Sequence, residues 1–185
     1  MRGGATVDVG PLAPPDLGAV RAFFDGMPEG DRTFFREDVL APGTLERWVA
    51  ETSSRRSLAR VDDVVAGYVA VIPGVAWSAH VGEIRLVVDP QQRRRGVGRA
   101  LAQEAVLNAM ELGLSKLMVE VVADEEATVA MFVGMGFEAE GLLRDHVRER
   151  TGEVHDLLVL SHFVEDLWST MRTTGIAEVA LDEPG

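Results

Sequence analysis

Apolar residues in the first fifty positions follow the alternation of a strand and then the three-and-four spacing of a helix. A short strand is predicted at 6–9, and three prolines separate it from a helix that begins behind Asp16 as its N-cap. The apolar stripe of that helix consists of Leu17, Val20, Phe24 and Met27. After a break near Gly30, a second helix is predicted with Thr44 as its cap. The pattern therefore places two amphipathic helices ahead of the main run of strands.

The next segments are rich in β-branched and aromatic residues. Residues 57–61 and 64–72 are predicted as two strands of a hairpin. Asp62 and Asp63 between them are residues that tight turns favour. A further strand is predicted at 83–88, where an Asp-Pro pair ends it. These strands indicate a sheet that is at least partly antiparallel.

A long helical repeat follows the third of these strands. It opens at about residue 97, and Gly113 fits its C-terminal cap. The apolar-rich run at 116–122 suits a strand in the middle of a sheet, because both faces of such a strand are covered. Asp124 is predicted to cap another helix, which ends at Gly136. The result is a strand-helix-strand-helix unit.

The last predicted elements form a closing hairpin, with strands at 142–150 and 154–160. Together the segments predict one α/β (α+β) domain over residues 1–165, which agrees with a total length of 185 residues. Residues 166–185 are predicted as a tail that is partly helical and then disordered. Its apolar residues Leu167, Trp168 and Met171 could pack on their own subunit or form a homodimer contact.

Charge and composition narrow the range of partners. The 18 Lys and Arg residues against 30 Asp and Glu give a formal charge of −12, which repels nucleic acids and anionic membranes. No cysteine is present and the four histidines show no ligand spacing, so we expect no metal site. The amino terminus lacks the apolar stretch of a signal peptide, and no run is long enough to span a membrane. We therefore expect a cytoplasmic protein.

Positive charge is concentrated at one place, the turn before the long helix. Arg93, Arg94 and Arg95 stand there beside Gly96 and Gly98. Backbone N–H groups at a helix N-terminus after a strand bind anions, and glycine lets a phosphate approach the main chain. Cations are disfavoured at the positive end of a helix, by up to about 1 kcal/mol each, and a bound anion would remove that conflict. The alternative is a solvated basic turn whose arginines pair with carboxylates of the chain.

Two motifs carry a resemblance to a known family. Arg93-x-x-Gly96-x-Gly98, between a strand and a helix, resembles the acyl-CoA signature Gln/Arg-x-x-Gly-x-Gly/Ala of the GNAT superfamily of N-acetyltransferases. Met131-Phe132-x-x-Met135-Gly136-Phe137 resembles the Leu-Tyr-x-x-Leu-Gly-Phe stretch of the same family. The order of elements is also similar to that fold over most of the chain.

The resemblance implies a fold and a cofactor. The fold is a central, mixed, mostly antiparallel twisted sheet of about six to seven strands with a splayed parallel pair, flanked by about four helices. The cofactor is acetyl-CoA, whose diphosphate the turn would hold while the strand before it pairs with the pantetheine arm. The implied cofactor-binding residues are Val87, Val88, Arg93, Arg94, Arg95, Gly96, Val97, Gly98, Arg99 and Phe132.

The family chemistry is direct attack of an amine on the acetyl thioester, which requires a proton acceptor and a proton donor. Glu83 is the preferred candidate for the base, on the strand before the basic turn, and Glu120 is the second. Phe132 stands where many members carry the tyrosine that protonates the CoA sulfur, and phenylalanine has no proton to give. Glu125 replaces a common asparagine, although a carboxylate in a first helical turn also complements the helix dipole.

The acceptor is implied only as a primary amine, such as a protein lysine, a polyamine or a small-molecule amine. The stretches Phe23-Phe24-x-x-Met27-Pro28 and Asp31-Arg32-x-Phe34-Phe35 resemble bacterial protein-lysine acetyltransferases. Packing of these aromatic residues on the sheet explains most of the same positions without an acceptor. An acidic surface favours a cationic acceptor but does not choose among the classes.

Two alternatives from other classes stay open at the level of sequence. A non-catalytic acyl-CoA binding or sensor module would explain Phe132. A dinucleotide-binding protein would explain the paired glycines, with Glu120 as the ribose acid about twenty residues on. The dinucleotide alternative is weakened by the missing third glycine, by the long turn before Gly96 and by the antiparallel hairpin.

Overall fold

This computed structural model describes residues 6–33, 35, 37–149 and 151–166. Its central element is a seven-stranded sheet. The strands are β1 (Val7–Pro11), β2 (Arg55–Val61), β3 (Val64–Pro73), β4 (Val81–Val88), β5 (Lys116–Val122), β6 (Glu138–Arg148) and β7 (Val154–Phe163). The helices of these ranges are α1 (Leu17–Asp25), α2 (Glu29–Thr33), α3 (Thr44–Ala50), α4 (Val97–Glu111) and α5 (Glu126–Val133). The predicted tail lies, from residue 167 on, outside the described residues.

The strand order is β1-β2-β3-β4-β5-β7-β6, and every neighbouring pair is antiparallel except β4 and β5. Those two strands are parallel and pair only between 81–84 and 116–119. β4 continues to Val88 and β5 to Val122, so the two strands diverge beyond the paired stretch. The predicted mixed sheet with a splayed parallel pair is therefore confirmed. The order also excludes the parallel sheet that a dinucleotide-binding fold requires.

The turn between β2 and β3 is the tight hairpin that the sequence predicts. Asp62 and Asp63 have φ values of 51° and 64°. A positive φ at both central residues defines a type I′ turn, which matches the twist of a hairpin, and Asp tolerates this conformation better than most residues.

Two predicted helix caps are wrong. Gly43, with φ of 83°, is the N-cap of α3, and the hydroxyl of Thr44 donates instead to the carbonyl of Asp38 at 3.1 Å. Glu125 is the N-cap residue of α5, while the carboxylate of Asp124 contacts His155. In both cases the side chain that was predicted to cap the helix instead bonds to a residue outside that helix.

The core has two layers, one on each face of the sheet. One face of β4 and β5 packs against α4 and α5. The other face packs against α1 and α3, where Phe24, Trp48 and Tyr68 form edge-on and stacked ring contacts. Burial raises the pKa of Tyr68 well above its usual value. Among the described residues, no helix combines the length and the apolar character needed to cross a membrane.

The second layer accounts for most of the aromatic stretch near the amino terminus. Phe23, Phe24, Met27 and Phe35 are buried in it, as the packing alternative predicts, and Phe34 lies outside the described residues. The five-residue helix α2 was not predicted, because Pro28 and Gly30 are typical of a break between helices and the element is too short to show a helical repeat.

Candidate active site

The divergence of β4 from β5 opens a cleft of about 570 Å³. Its walls come from both strands, from the basic turn (residues 89–96), from the start of α4 and from α5. Asp31 of α2 and Phe35 complete the wall on the opposite side. Strand N–H and C=O groups that lose a neighbouring strand need another partner, so such a gap suits a ligand with amide groups of its own.

The basic turn has the backbone of an anion-binding site. Asp89 opens it by accepting a hydrogen bond from the Gln91 N–H at 2.8 Å. Arg94 and Gly96 both have left-handed conformations, with φ of 62° and 87°. Alternation of left-handed residues along a turn directs successive N–H groups to one side. Because the left-handed region costs a residue with a Cβ about 1–2 kcal/mol, the backbone of Arg94 is strained.

The first turn of α4 adds donors to the same place. The helix hydrogen bonds begin with Ala100 N–H to the carbonyl of Gly96 at 3.0 Å. The N–H groups of Val97, Gly98 and Arg99 precede that bond and have no acceptor within the helix. They carry the positive end of the helix dipole toward the cleft.

The two glycines of the motif, Gly96 and Gly98, have different structural roles. A Cβ at Gly96 would meet no atom within 4 Å, so this position needs glycine for its conformation. A Cβ at Gly98 would lie 3.3 Å from Met131 Sδ and 3.6 Å from Val88 Cγ2. Gly98 therefore allows α4 to approach α5 and β4 closely, a packing role that the sequence motif does not reveal.

Eight of the ten predicted cofactor residues line the cleft: Val87, Val88, Arg93, Arg94, Gly96, Gly98, Arg99 and Phe132. The two others do not. Val97 is buried in the core between α4 and the sheet. The guanidinium of Arg95 donates to Gln92 Oε1 at 2.5 Å and stays within the turn.

The arginines of the turn are not all directed alike. Arg94 and Arg99 line the cleft. Arg93 Nη2 donates to Asp31 Oδ2 at 2.5 Å, across the cleft and 62 positions away in the sequence. The sequence alternative in which the arginines pair with carboxylates thus holds for Arg93. No local pattern could have identified Asp31 as its partner.

Glu83 and Glu120 lie on the same face of the sheet and both line the cleft. The register pairs Glu83 with Met118, so Glu120 stands two residues further along β5, just past the last parallel pair. Glu83 Oε1 accepts a hydrogen bond from Arg85 Nε at 3.0 Å. The structure therefore brings the two predicted carboxylates to one site, with Glu120 at the point where the strands part.

Phe132 is buried on α5, with its ring edge-on to Phe137 at 5.1 Å, and it borders the cleft. Thr128, one helical turn earlier, also borders the cleft. The one tyrosine of the sequence is Tyr68, which is buried in the other core layer and is not among the cleft residues. No tyrosine is therefore available to replace the missing phenol.

A titratable cluster beside the β5–α5 connection was not foreseen from the histidine spacing. His155 of β7 lies 3.1 Å from Asp124 and 3.4 Å from Glu149, measured from its two ring nitrogens. Glu149, Glu153 and His155 offer ligand atoms within 4.8 Å of one another. The hydrogen bond to Asp124 raises the pKa of His155 above its usual value.

Comparison with known proteins gives one family. The acetyltransferase (GNAT) family matches residues 21–137. The mycothiol acetyltransferase of Kocuria rhizophila is 39% identical over 69 residues, which are 37% of this chain and 23% of that protein. The ribosomal protein bS18 alanine N-acetyltransferase of Escherichia coli K12 is 28% identical over 76 residues, 41% of this chain and 51% of that protein. The matched stretches thus span 23% of the first relative and 51% of the second.

Solved structures give the same fold. The ribosomal-protein-alanine N-acetyltransferase of Brucella melitensis superposes with a TM-score of 0.74 at 22% identity. The superposition covers 84% of this chain and 99% of that one. At this identity the similarity establishes the fold alone.

Proposed function

The chain belongs to the acetyltransferase (GNAT) family, and from that premise we propose that it transfers an acetyl group from acetyl-CoA to a primary amine. The amine attacks the thioester directly while both substrates are bound. The observation that carries the proposal is the position of the cleft, where a gap between parallel strands opens beside an anion-binding turn. A diphosphate with a long amide-bearing arm fits both features at once.

In this proposal the cofactor is held mainly by main-chain groups. The N–H groups of residues 94–99 would bind the diphosphate, with Arg94 and Arg99 adding charge. The pantetheine arm would lie along residues 87–88, where its amides take the place of the missing strand. A strand N–H at the gap would donate to the thioester oxygen as negative charge develops on it.

The amine must lose a proton as it attacks, and two carboxylates can accept it. Glu120 is the better placed of the two, because it stands just past the last parallel pair, where the strands part, while Glu83 is within the paired stretch. Both lie on the sheet face opposite the one that packs against α4, because their neighbours Ile84, Val119 and Val121 belong to the α4 core layer. We therefore propose Glu120 as the base, with Glu83 orienting the ammonium group.

The departing thiolate is proposed to leave with water as its proton source, or with no donor. Phe132 cannot donate and the chain has no second tyrosine. A thiol has an ordinary pKa of about 8.5, so its anion is an adequate leaving group near neutral pH.

The acceptor is proposed as a cationic amine, because Asp31, Glu83, Glu120 and Glu125 all border the cleft. Protein lysines, polyamines and small-molecule amines share this chemistry. Relatives are named for acceptors as different as mycothiol and ribosomal protein bS18, so the family match does not choose among them.

The test is a matched pair of glycine substitutions read by calorimetry with CoA. Gly96→Glu puts a carboxylate where the diphosphate is proposed to bind, and we expect CoA affinity to fall at least about tenfold. Gly113→Glu is the control, because Gly113 also has a positive φ and open space around it, at the other end of α4. The control should bind CoA like the wild type.

Equal affinities of the two variants would contradict the proposed cofactor site. A screen of acetyl-CoA with peptide, polyamine and small-molecule amines then separates an enzyme from a sensor module. Binding of acetyl-CoA with no transfer to any amine of the panel would favour the sensor.

A further inference from the structure

The ion pair between Asp31 and Arg93 joins two segments of the cleft wall, α2 and the basic turn. Arg93 opens the basic turn, and Asp31 belongs to α2, on the side of the cleft away from α4. Both residues line the cleft, and their nitrogen and oxygen atoms are 2.5 Å apart. The pair therefore ties the basic turn to α2 at the edge of the cleft where a diphosphate is proposed to bind.

The pair is weak enough to be exchanged. The Arg93 side chain is 46% exposed and that of Asp31 is 24% exposed. Ion pairs with this much solvent contribute about 0–1 kcal/mol. A diphosphate offers several charged oxygens to a guanidinium and forms the same bidentate, charge-assisted hydrogen bonds with it that a carboxylate forms, so it can take the place of Asp31.

The helix that carries Asp31 would keep its anchors if the pair opened. Arg32 Nη1 donates to the carbonyl of Phe24 at 3.0 Å, which holds α2 to the end of α1. Phe35 is buried, with its ring 5.4 Å from that of Phe24. Loss of the Arg93 contact would therefore loosen α2 between two fixed points without detaching it.

We propose that Asp31 is the internal counter-ion of the cofactor site, a positioning residue that acts through Arg93. It occupies the guanidinium until the diphosphate of acetyl-CoA takes that guanidinium over. When the diphosphate replaces Asp31 as the partner of Arg93, α2 is released and the Asp31 carboxylate stays in the cleft wall, where it can attract a cationic amine. Binding of the cofactor thereby frees α2 and the Asp31 carboxylate before the amine binds. This inference rests on the proposed function.

The first test measures CoA binding by calorimetry at low ionic strength. Asp31→Asn removes the competing charge, so we expect the Kd for CoA to fall about two- to fivefold. The gain should disappear in high salt, because exposed charges are screened there. In an Arg93→Gln background, Asp31→Asn should change the Kd for CoA by less than the same factor, because Asp31 acts through Arg93.

Asp25→Asn is the control for general electrostatics, because it removes an equal charge from the exposed end of α1. It should not match the gain of Asp31→Asn. Unchanged or weaker CoA binding in Asp31→Asn would overturn the inference, and so would an equal gain in the Arg93→Gln background. In either case CoA binding by the wild type would leave the proposed function standing.

The second test follows α2 by hydrogen exchange. In the wild type, CoA should increase exchange of the amides of α2, because binding opens the ion pair. In Asp31→Asn the same amides should exchange faster before CoA is added and should change little on its addition. A wild-type α2 that becomes more protected with CoA would contradict the release of this helix.

Discussion

At the scale of single residues, the chemistry depends on which carboxylate of the cleft accepts the proton. Glu83 and Glu120 were both candidates before the structure, Glu83 because the family resemblance implies a glutamate on the strand before the basic turn and Glu120 because it lies on the neighbouring strand. Their ranking depends on strand register, which a pattern of alternating residues cannot supply. The register places Glu120 past the last parallel pair and Glu83 within it.

Substitution of each carboxylate by glutamine distinguishes the two. Glu120→Gln should lower kcat/KM by about 10²-fold or more, since a general base contributes roughly that factor. It should also remove the acid limb of the pH profile and recover part of the rate at high pH, where the amine loses its proton to solvent. Glu83→Gln should lose less than about tenfold and keep the acid limb.

The measurement is kcat/KM against pH with any amine that the screen finds to be acetylated. CoA affinity of both variants is the control, since neither substitution touches the diphosphate-binding turn. An acid limb that survives in Glu120→Gln and disappears in Glu83→Gln would exchange the two proposed roles.

At the scale of elements, the strands and the helix flanking the basic turn could be predicted closely, because local patterns determine them. The hairpin at Asp62-Asp63 and the cap near Gly113 follow from residues that adopt a positive φ. The caps at Thr44 and Asp124 were predicted wrongly, because their side chains have partners outside the helix that they were assigned to. Local sequence gives the conformation of a turn, but it does not give the competing partner.

No sequence motif predicts the close packing of α4 on the sheet. A Cβ at Gly67 of β3 would lie 2.7 Å from Leu101 Cδ1 and 3.0 Å from the Val87 carbonyl oxygen. Gly67→Ala should therefore lower the free energy of unfolding by about 1–3 kcal/mol, the usual cost of overpacking. It should also weaken CoA binding, because β4 and α4 both border the cleft.

Gly10→Ala is the matched control, since Gly10 is also in a strand and a Cβ there would meet nothing within 4 Å. Denaturant unfolding of both variants is the measurement. A Gly67→Ala variant as stable as the wild type would show that α4 can shift away from β3 at little cost.

At the scale of the whole molecule, the cleft assembles segments that lie far apart in the sequence. The basic turn and its glycines could be identified in advance, because the chemistry of an anion site requires them to be close together. Asp31 could not, because its contact with Arg93 spans 62 positions and depends on the tertiary position of α2. The contact of His155 in the closing hairpin with Asp124 on the β5–α5 connection could not be predicted for the same reason, because the two residues are 31 positions apart.

The contact of His155 makes the stability of the closing hairpin depend on pH. Asp124, Glu149 and Glu153 all act on the imidazole, and the hydrogen bond to Asp124 is the main cause of its raised pKa. A histidine whose pKa is raised by folding stabilises the folded state fully below its unfolded pKa of about 6.5. That contribution is lost as the pH rises through the folded pKa.

We therefore expect Tm of the wild type to fall between about pH 6 and pH 8 by more than that of His155→Gln or Asp124→Asn. His155→Gln removes the linkage with the titrating group itself, and Asp124→Asn reduces it by removing the main partner. Thermal unfolding across this range measures the difference. If the two variants followed the wild-type dependence on pH, the attachment of the β6–β7 hairpin to the β5–α5 connection would be independent of histidine charge.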